Sequence, residues 1–215
     1  MSRRLLLGGL AGLAGLAGLG GCVSVGIGNE AALDTQFALR DAGAGAAPAR
    51  RDQTVVPALV IQAVPADALG DTTAIAYSRR PGEYAFYQLA SWTERPVRAL
   101  PRLLQRRLEA SGLAGAVGLA GEPLRSDWLL QLGVDAVVHD LASEPGAGRI
   151  ALTLELFDRR SRTRVARRSF EASVPAQRAD SAAAVAALSQ ALAQVFDAAL
   201  PWLEAELQRP AVAVR

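Results

Sequence analysis

The period of the apolar positions changes several times along the chain, and each change marks an element. Ile150, Leu152, Leu154 and Leu156 alternate with Ala151, Thr153, Glu155 and Phe157, the period of two expected of a strand with one buried face. Trp128 to Leu141 alternates in the same way, with Leu130, Leu132, Val134, Ala136 and Val138 against Gln131, Gly133, Asp135 and Val137. Turn-forming residues follow each run: Ser143-Glu144-Pro145-Gly146-Ala147-Gly148, then Asp158-Arg159-Arg160-Ser161, before Thr163 to Val174 returns. The pattern predicts an antiparallel meander of three strands.

Earlier in the chain the runs are shorter. Thr35 to Leu39 predicts a brief first strand, and Val55 to Val64 is a β-branched run closed by Pro65, with Pro57 at its beginning where a strand tolerates proline. Thr73 to Ser78 and Glu83 to Leu89 flank Arg79-Arg80-Pro81-Gly82 and predict a hairpin. Ser91-Trp92-Thr93-Glu94 has the spacing of a capping box. The helix it opens carries Val97, Leu100, Leu104 and Leu108 on one stripe and ends at Gly112, with Pro101 predicting a kink or a separate first turn. A short strand is expected at Ala116 to Leu119. A last helix, capped by Asp180 or Ser181, presents Val185, Leu188, Leu192, Val195, Ala199, Leu203 and Leu207, with a break or kink expected near Leu200 because Pro201 follows.

These elements predict a mixed α/β (α+β) fold, a mixed β-sheet with an antiparallel C-terminal meander packed against two main amphipathic helices. The pattern leaves open whether the helices cover one sheet face or both. The expected organisation is a signal segment at 1–21, a tether with a short strand at 22–53, one globular domain at 54–208 and a loose tail at 209–215.

The N-terminal signal rests on Arg3 and Arg4, an apolar run from Leu5, and Leu19-Gly20-Gly21 before Cys22, the one cysteine. Leu19, Gly20, Gly21 and Cys22 together resemble the lipobox of bacterial lipoproteins. The resemblance implies that signal peptidase recognises Leu19, Gly20 and Gly21, that Cys22 becomes the mature N-terminus and that its thiol carries a diacylglyceryl group. One alternative is an ordinary signal peptide followed by an incidental cysteine; the other is an uncleaved anchor, since residues 5–28 carry no charge and are long enough to cross about 30 Å of hydrocarbon. The crowding of glycine opposes it, at about 1 kcal/mol per helical position.

Composition narrows the function. Half the residues are apolar, which favours a packed core over disorder, and no second cysteine exists for a disulfide. The formal net charge is only +2, and the basic residues, all of them arginine, are spread along the chain. That argues against a nucleic-acid partner. Arg159, Arg160, Arg162, Arg164, Arg167 and Arg168 cluster at a predicted turn and strand, where a solvated edge is expected and contact with anionic lipid or a partner is the alternative.

Candidate chemistry is sparse. His139, the single histidine, precedes Asp140, a pair that could in principle serve as base and orienter. No Gly-x-Ser-x-Gly motif supplies a nucleophile, and without lysine there is no phosphate loop. One histidine and a cysteine assigned to lipid argue against a zinc or copper site. No enzyme activity and no cofactor beyond the lipid on Cys22 are therefore expected. Tyr84, Tyr87 and Trp92, between a strand and a helix start, are candidates for partner contact, with ordinary packing as the alternative.

The lipobox, Phe37-Ala38-Leu39, the strand with Pro57, Leu59, Ile61 and Val64, and the tyrosine-rich segment leading to Trp92 and Glu94-Arg95-Pro96 occur in a telling order. Leu103-Leu104-Gln105-Arg106-Arg107-Leu108, Leu154-Glu155-Leu156 and a closing alanine-rich helix complete it. In that order the chain resembles the ABC-type transport auxiliary lipoproteins of the PqiC/YmbA type, from about residue 35 to 205. The resemblance implies a non-catalytic envelope component beside an ABC permease and ATPase and an MCE-domain substrate-binding protein, moving lipid between membranes. It leaves room for a homo-oligomer. Val23 after Cys22, where aspartate would retain a lipoprotein at the inner membrane, implies the periplasmic face of the outer membrane. Other readings are a lipoprotein regulating a cell-wall synthase, a lipid carrier with a half-open barrel and, last, a periplasmic hydrolase.

Overall fold

The computed structural model describes residues 34–46, 51–65 and 68–209. Leu19, Gly20, Gly21, Cys22 and Val23 lie outside the described residues, as does the tail beyond Arg209. Eight strands and two α-helices form one mixed sheet with its helical cover. The strands are β1 (Thr35–Phe37), β2 (Val56–Pro65), β3 (Ala74–Arg80), β4 (Glu83–Trp92), β5 (Ala114–Leu119), β6 (Trp128–Asp140), β7 (Ala147–Asp158) and β8 (Thr163–Pro175). The helices are α1 (Pro96–Ser111) and α2 (Ser181–Gln208).

The sheet is built around β6. One edge of β6 pairs antiparallel with β7 from Trp128↔Asp158 to Asp140↔Ala147, and β7 pairs with β8, so the predicted meander is present. The other edge is shared. Its first half pairs parallel with β2 (Val60↔Leu129 to Pro65↔Val134), and its end pairs parallel with β3 (Tyr77↔His139, Ser78↔Asp140). The sheet therefore forks: β5 continues beyond β2, while β4 and then β1 continue beyond β3.

Alternation decides which face is covered. Leu130, Leu132 and Val134 of β6 pair with Leu156, Leu154 and Leu152 of β7, and all six are buried. Both helices lie on that face. α1 packs on β2, β5 and β6, α2 packs on β6, β7 and β8, and the helices touch. Burying one such leucine contributes about 1.5–3 kcal/mol, so this layer holds the fold. α2 approaches closely because β7 offers Gly148 there. A Cβ on Gly148 would sit 2.4 Å from the Leu188 nitrogen and 2.6 Å from the Ala187 carbonyl carbon.

Several expectations are corrected. The alternation predicted for β6 fails past Val134, because a bulge inserts Asp135 between Val134↔Leu152 and Ala136↔Ala151. Val137 and His139 then take the core side, and Val138 turns away from it. The capping box does not form: Ser91 belongs to β4, and the Glu94 carboxylate accepts from Arg102 Nη1 at 2.7 Å. α1 instead starts with Pro96, whose fixed φ suits the first helical position. It ends as predicted at Gly112, with φ at 68°. α1 runs as one helix through Pro101 and α2 as one helix through Pro201, so neither a separate first turn nor a break forms at the prolines. Leu100 and Leu104 flank the first proline and Leu203 follows the second, all buried, and that packing outweighs a penalty of about 3 kcal/mol.

The tether also ends sooner than expected, for the domain begins at Asp34. β1 pairs parallel with β4 (Thr35↔Ala90 to Phe37↔Trp92), and Leu39 is buried. Asp41 accepts a forked pair of bonds from Arg107 Nε and Nη2 of α1 at 2.8 and 2.9 Å. Arg107 Nη1 reaches Asp197 of α2 at 3.1 Å, so one guanidinium joins both helices to the N-terminal segment. Gly43 lets it in: a Cβ there would lie 2.2 Å from Nη2.

Candidate partner-contact site

The hairpin turn Pro81-Gly82 sends β4 along the outside of β3, with Tyr77↔Ala85 and Ala76↔Phe86 in register. Because Tyr77 also pairs with His139 on the core side, Ala85 and Tyr87 face the helices, and Tyr84 and Phe86 face away. Tyr84 is 50% exposed and Phe86 41%. The next residues leave this register: two steps along β3, from Ala76 to Ala74, correspond to five along β4, from Phe86 to Ser91. Leu89, in this irregular stretch, has φ at 47° and is 57% exposed.

The three candidate contact residues are therefore not one exposed patch. Tyr84 stands in solvent. Tyr87 is half-buried against the core. Trp92 is 3% exposed and belongs to the core, its backbone N–H donating to the Thr73 carbonyl at 2.7 Å. Trp92 is corrected from contact residue to packing residue, since β4 has changed phase by the time it reaches that position. Phe86 and Leu89 are the residues that sequence reasoning missed, and the alternation Tyr84, Phe86 on an edge strand was the available signal.

Beneath this strand sits His139. Its side chain is fully buried, and Nδ1 lies 2.7 Å from the Tyr87 hydroxyl, the tautomer deciding which donates. The Tyr87 ring is 5.1 Å from that of Tyr77, over which Arg79 stands at 5.5 Å. Burial pushes the imidazole below its ordinary value, partly opposed by the Pro145 carbonyl and by Asp140 and Asp180. Burial likewise pushes the Tyr87 phenol up, helped by Asp180 and Tyr77 and opposed by Arg79. Both groups are thus held neutral. Although the Pro145 carbonyl favours the protonated ring, Nε2 has no partner within hydrogen-bonding geometry.

The His139-Asp140 pair does not form a dyad. Neighbours on a strand point to opposite faces, and the Asp140 carboxylate accepts from the Ala142 amide at 3.0 Å instead. Among the described residues no three histidine, cysteine or acidic side chains gather as a metal site would require.

Across β7 and β8 the sheet face away from the helices is polar. Asp135 Oδ2 accepts from Thr153 Oγ1 at 2.6 Å, Thr153 bonds Ser169 at 2.8 Å, and Arg149 forks onto Glu171 at 2.6 and 3.1 Å. Two shallow clefts lie on this face. One, of about 220 Å³, is lined by Val64, Gln131, Asp135 and Arg167. The other, of about 280 Å³, is lined by Arg80, Tyr84, Val138, Asp140 and Arg149. Three of the six arginines of the β7–β8 hairpin are matched by acids: Arg160 with Asp127, and Arg164 and Arg167 with Glu155. Arg168 covers the Phe170 ring at 5.2 Å. That arrangement fits a solvated edge better than a cationic patch.

Comparison with known proteins agrees with this architecture. Protein XCC0632 of Xanthomonas campestris, of the DUF330 family, superposes with a TM-score of 0.69 at 27% identity, over 81% of this chain and 97% of its own. A second crystal structure, of an uncharacterised protein, superposes with a TM-score of 0.60 at 18% identity, over 80% of this chain and 99% of its own, and shares the fold. No curated protein matches the chain in sequence. The model of the ABC-type transport auxiliary lipoprotein component matches residues 30–199, and the chain belongs to that family.

Proposed function

We propose that the protein is a non-catalytic docking component of an ABC transport system that moves lipid between the two membranes of the envelope. In this reading Cys22, freed by cleavage after Gly21, carries the lipid, and Val23 directs the protein to the periplasmic face of the outer membrane. The partner is an MCE-domain protein, which links the domain to the permease and ATPase. The family match over residues 30–199 carries the proposal. A buried histidine with no dyad, beside a sheet with one face uncovered by helices, supports a role in binding over one in catalysis.

Affinity capture from solubilised membranes of the native host tests the partner. Recovery of an MCE-domain chain with permease and ATPase is expected, and recovery of a cell-wall synthase in their place overturns the reading. Fractionation tests the anchor. Cys22→Ser should move the protein from the outer-membrane fraction to the soluble periplasm, and retention in the membrane would overturn the lipid assignment.

A further inference from the structure

Five large apolar side chains are exposed among the described residues, and three of them, Tyr84, Phe86 and Leu89, fall within one short stretch of β4. No charged residue lies between Tyr84 and Leu89. The outer edge of β4 also lacks a partner strand from Glu83 to Tyr87 among the described residues, since β1 pairs with it only from Ala90 to Trp92. That short ladder fixes where the chain enters the domain. Thr35 lies opposite Ala90, so Asp34 arrives beside Leu89, at one end of the apolar strip. A dozen residues, Cys22 to Leu33, precede Asp34. Even fully extended they span only about 40 Å, so a lipid on Cys22 confines the strip to the neighbourhood of the bilayer.

We propose that Tyr84, Phe86 and Leu89 make a second, non-covalent contact with the phospholipid bilayer, seated at the level of the headgroups. The contact rests on the lipid assignment to Cys22 and extends it: the lipid retains the protein, and the strip sets which way the domain stands. Its chemistry suits that depth. A phenol beside a phenyl ring and a leucine offers apolar surface with one polar end, the combination favoured at a membrane interface. The open strand edge keeps the contact shallow. Its free N–H and C=O groups along Glu83 to Tyr87 are satisfied among hydrated headgroups and would not be in hydrocarbon. Nor does the contact need to be strong. A tether this short gives an effective concentration on the order of millimolar, so a strip too weak to recruit a free domain still orients an anchored one. In this stance the sheet stands edge-on, with β4 at the bilayer and β8 four strand spacings, about 19 Å, farther out. The polar face across β7 and β8 then stays clear of the lipid.

Spin labels read the depth. The lipidated full chain, reconstituted in phosphatidylcholine vesicles, carries a nitroxide on Phe86→Cys. Val165→Cys, an exposed site on β8, is the distant control, and the unsubstituted chain shows whether Cys22 takes label. Collisions with oxygen, which concentrates in lipid, are compared with collisions with a nickel chelate, which stays in water. The oxygen-to-nickel ratio is expected to be several times higher at the Phe86 site than at the Val165 site. Adding Leu89→Asp to Phe86→Cys should bring the ratio down to the Val165 value, with circular dichroism unchanged and the protein still floating with the vesicles. A Phe86 site open to the nickel chelate overturns the proposal. So does one shielded from both probes, which would mean that protein, a second copy or another chain, covers the strip, and so does indifference to Leu89→Asp. The two readings fail differently. A labelled Cys22 with loss of flotation refutes the lipid assignment and the contact built on it, whereas an anchored chain with its Phe86 site in water refutes the contact alone.

Discussion

An imidazole that is buried in the folded chain and free in the unfolded one makes stability depend on pH, and His139 is such a group. Its folded value lies below the free value of about 6.5, so as the pH falls the unfolded chain takes up a proton first. The contribution is whole above about pH 6.5 and is lost as the pH drops toward the folded value. The urea midpoint should therefore be lower at pH 5.5 than at pH 7.5, and His139→Gln should narrow the difference. The depressed carboxyls of Asp180 and Glu171 act in the same direction but at lower pH. Tyr87→Phe should cost about 1–3 kcal/mol by leaving Nδ1 without its partner, measured by the same unfolding curves. The clamp is expected to matter more. The side chains of Arg107 and Asp41 are 2% and 3% exposed, and Asp41→Ala should cost about 3–5 kcal/mol because a buried cation then loses its forked partner.

Among the elements, α2 on β7 offers the sharpest test. Gly148→Ala places a methyl group against helix backbone, not against a side chain that can swing away. The helix must lift, at about 1–3 kcal/mol, and a lower Tm with unchanged secondary structure is the expected readout. The strands were legible in the sequence where one face is buried. Ile150 to Leu156 could be assigned from alternation alone, since a shift of one residue would expose every leucine. The helix start was not, because Ser91 and Glu94 have capping spacing but β4 keeps Ser91 in the sheet and Arg102 takes Glu94. The prolines misled for a related reason: a local penalty was visible, while the packing that outweighs it is tertiary. The bulge at Asp135 was hidden as well, and with it the turn of His139 into the core.

At the scale of the molecule, the pattern gave two amphipathic helices and one sheet, but their placement on a single face follows from contacts that no period encodes. The same holds for the N-terminal boundary. Residues 34–46 have the composition of a linker, yet Asp41 meets an arginine 66 positions later. A chain beginning at Gln53 would lack β1 and Asp41 together. It should be less stable than one beginning at Asp34 by about 3–5 kcal/mol, because Arg107 loses Asp41 and keeps only the exposed Asp197, which chemical denaturation of the two chains would measure. The candidate site was half legible: its strand was found, but the buried Trp92 was counted among its contact residues and the exposed Phe86 was passed over.

The clamp also has a mechanical meaning. A pull on the chain upstream of Asp34 enters the domain through β1, and one directed along that strand loads its parallel ladder with β4 in shear, three residue pairs together. What passes that ladder reaches Asp41 and is divided by one guanidinium between α1 and α2, the two helices that hold the core layer. Tension along β1 is thus met by the ladder and by the Arg107 ion pairs in turn. Under force, Asp41→Asn should lower the first rupture while leaving the later ones unchanged.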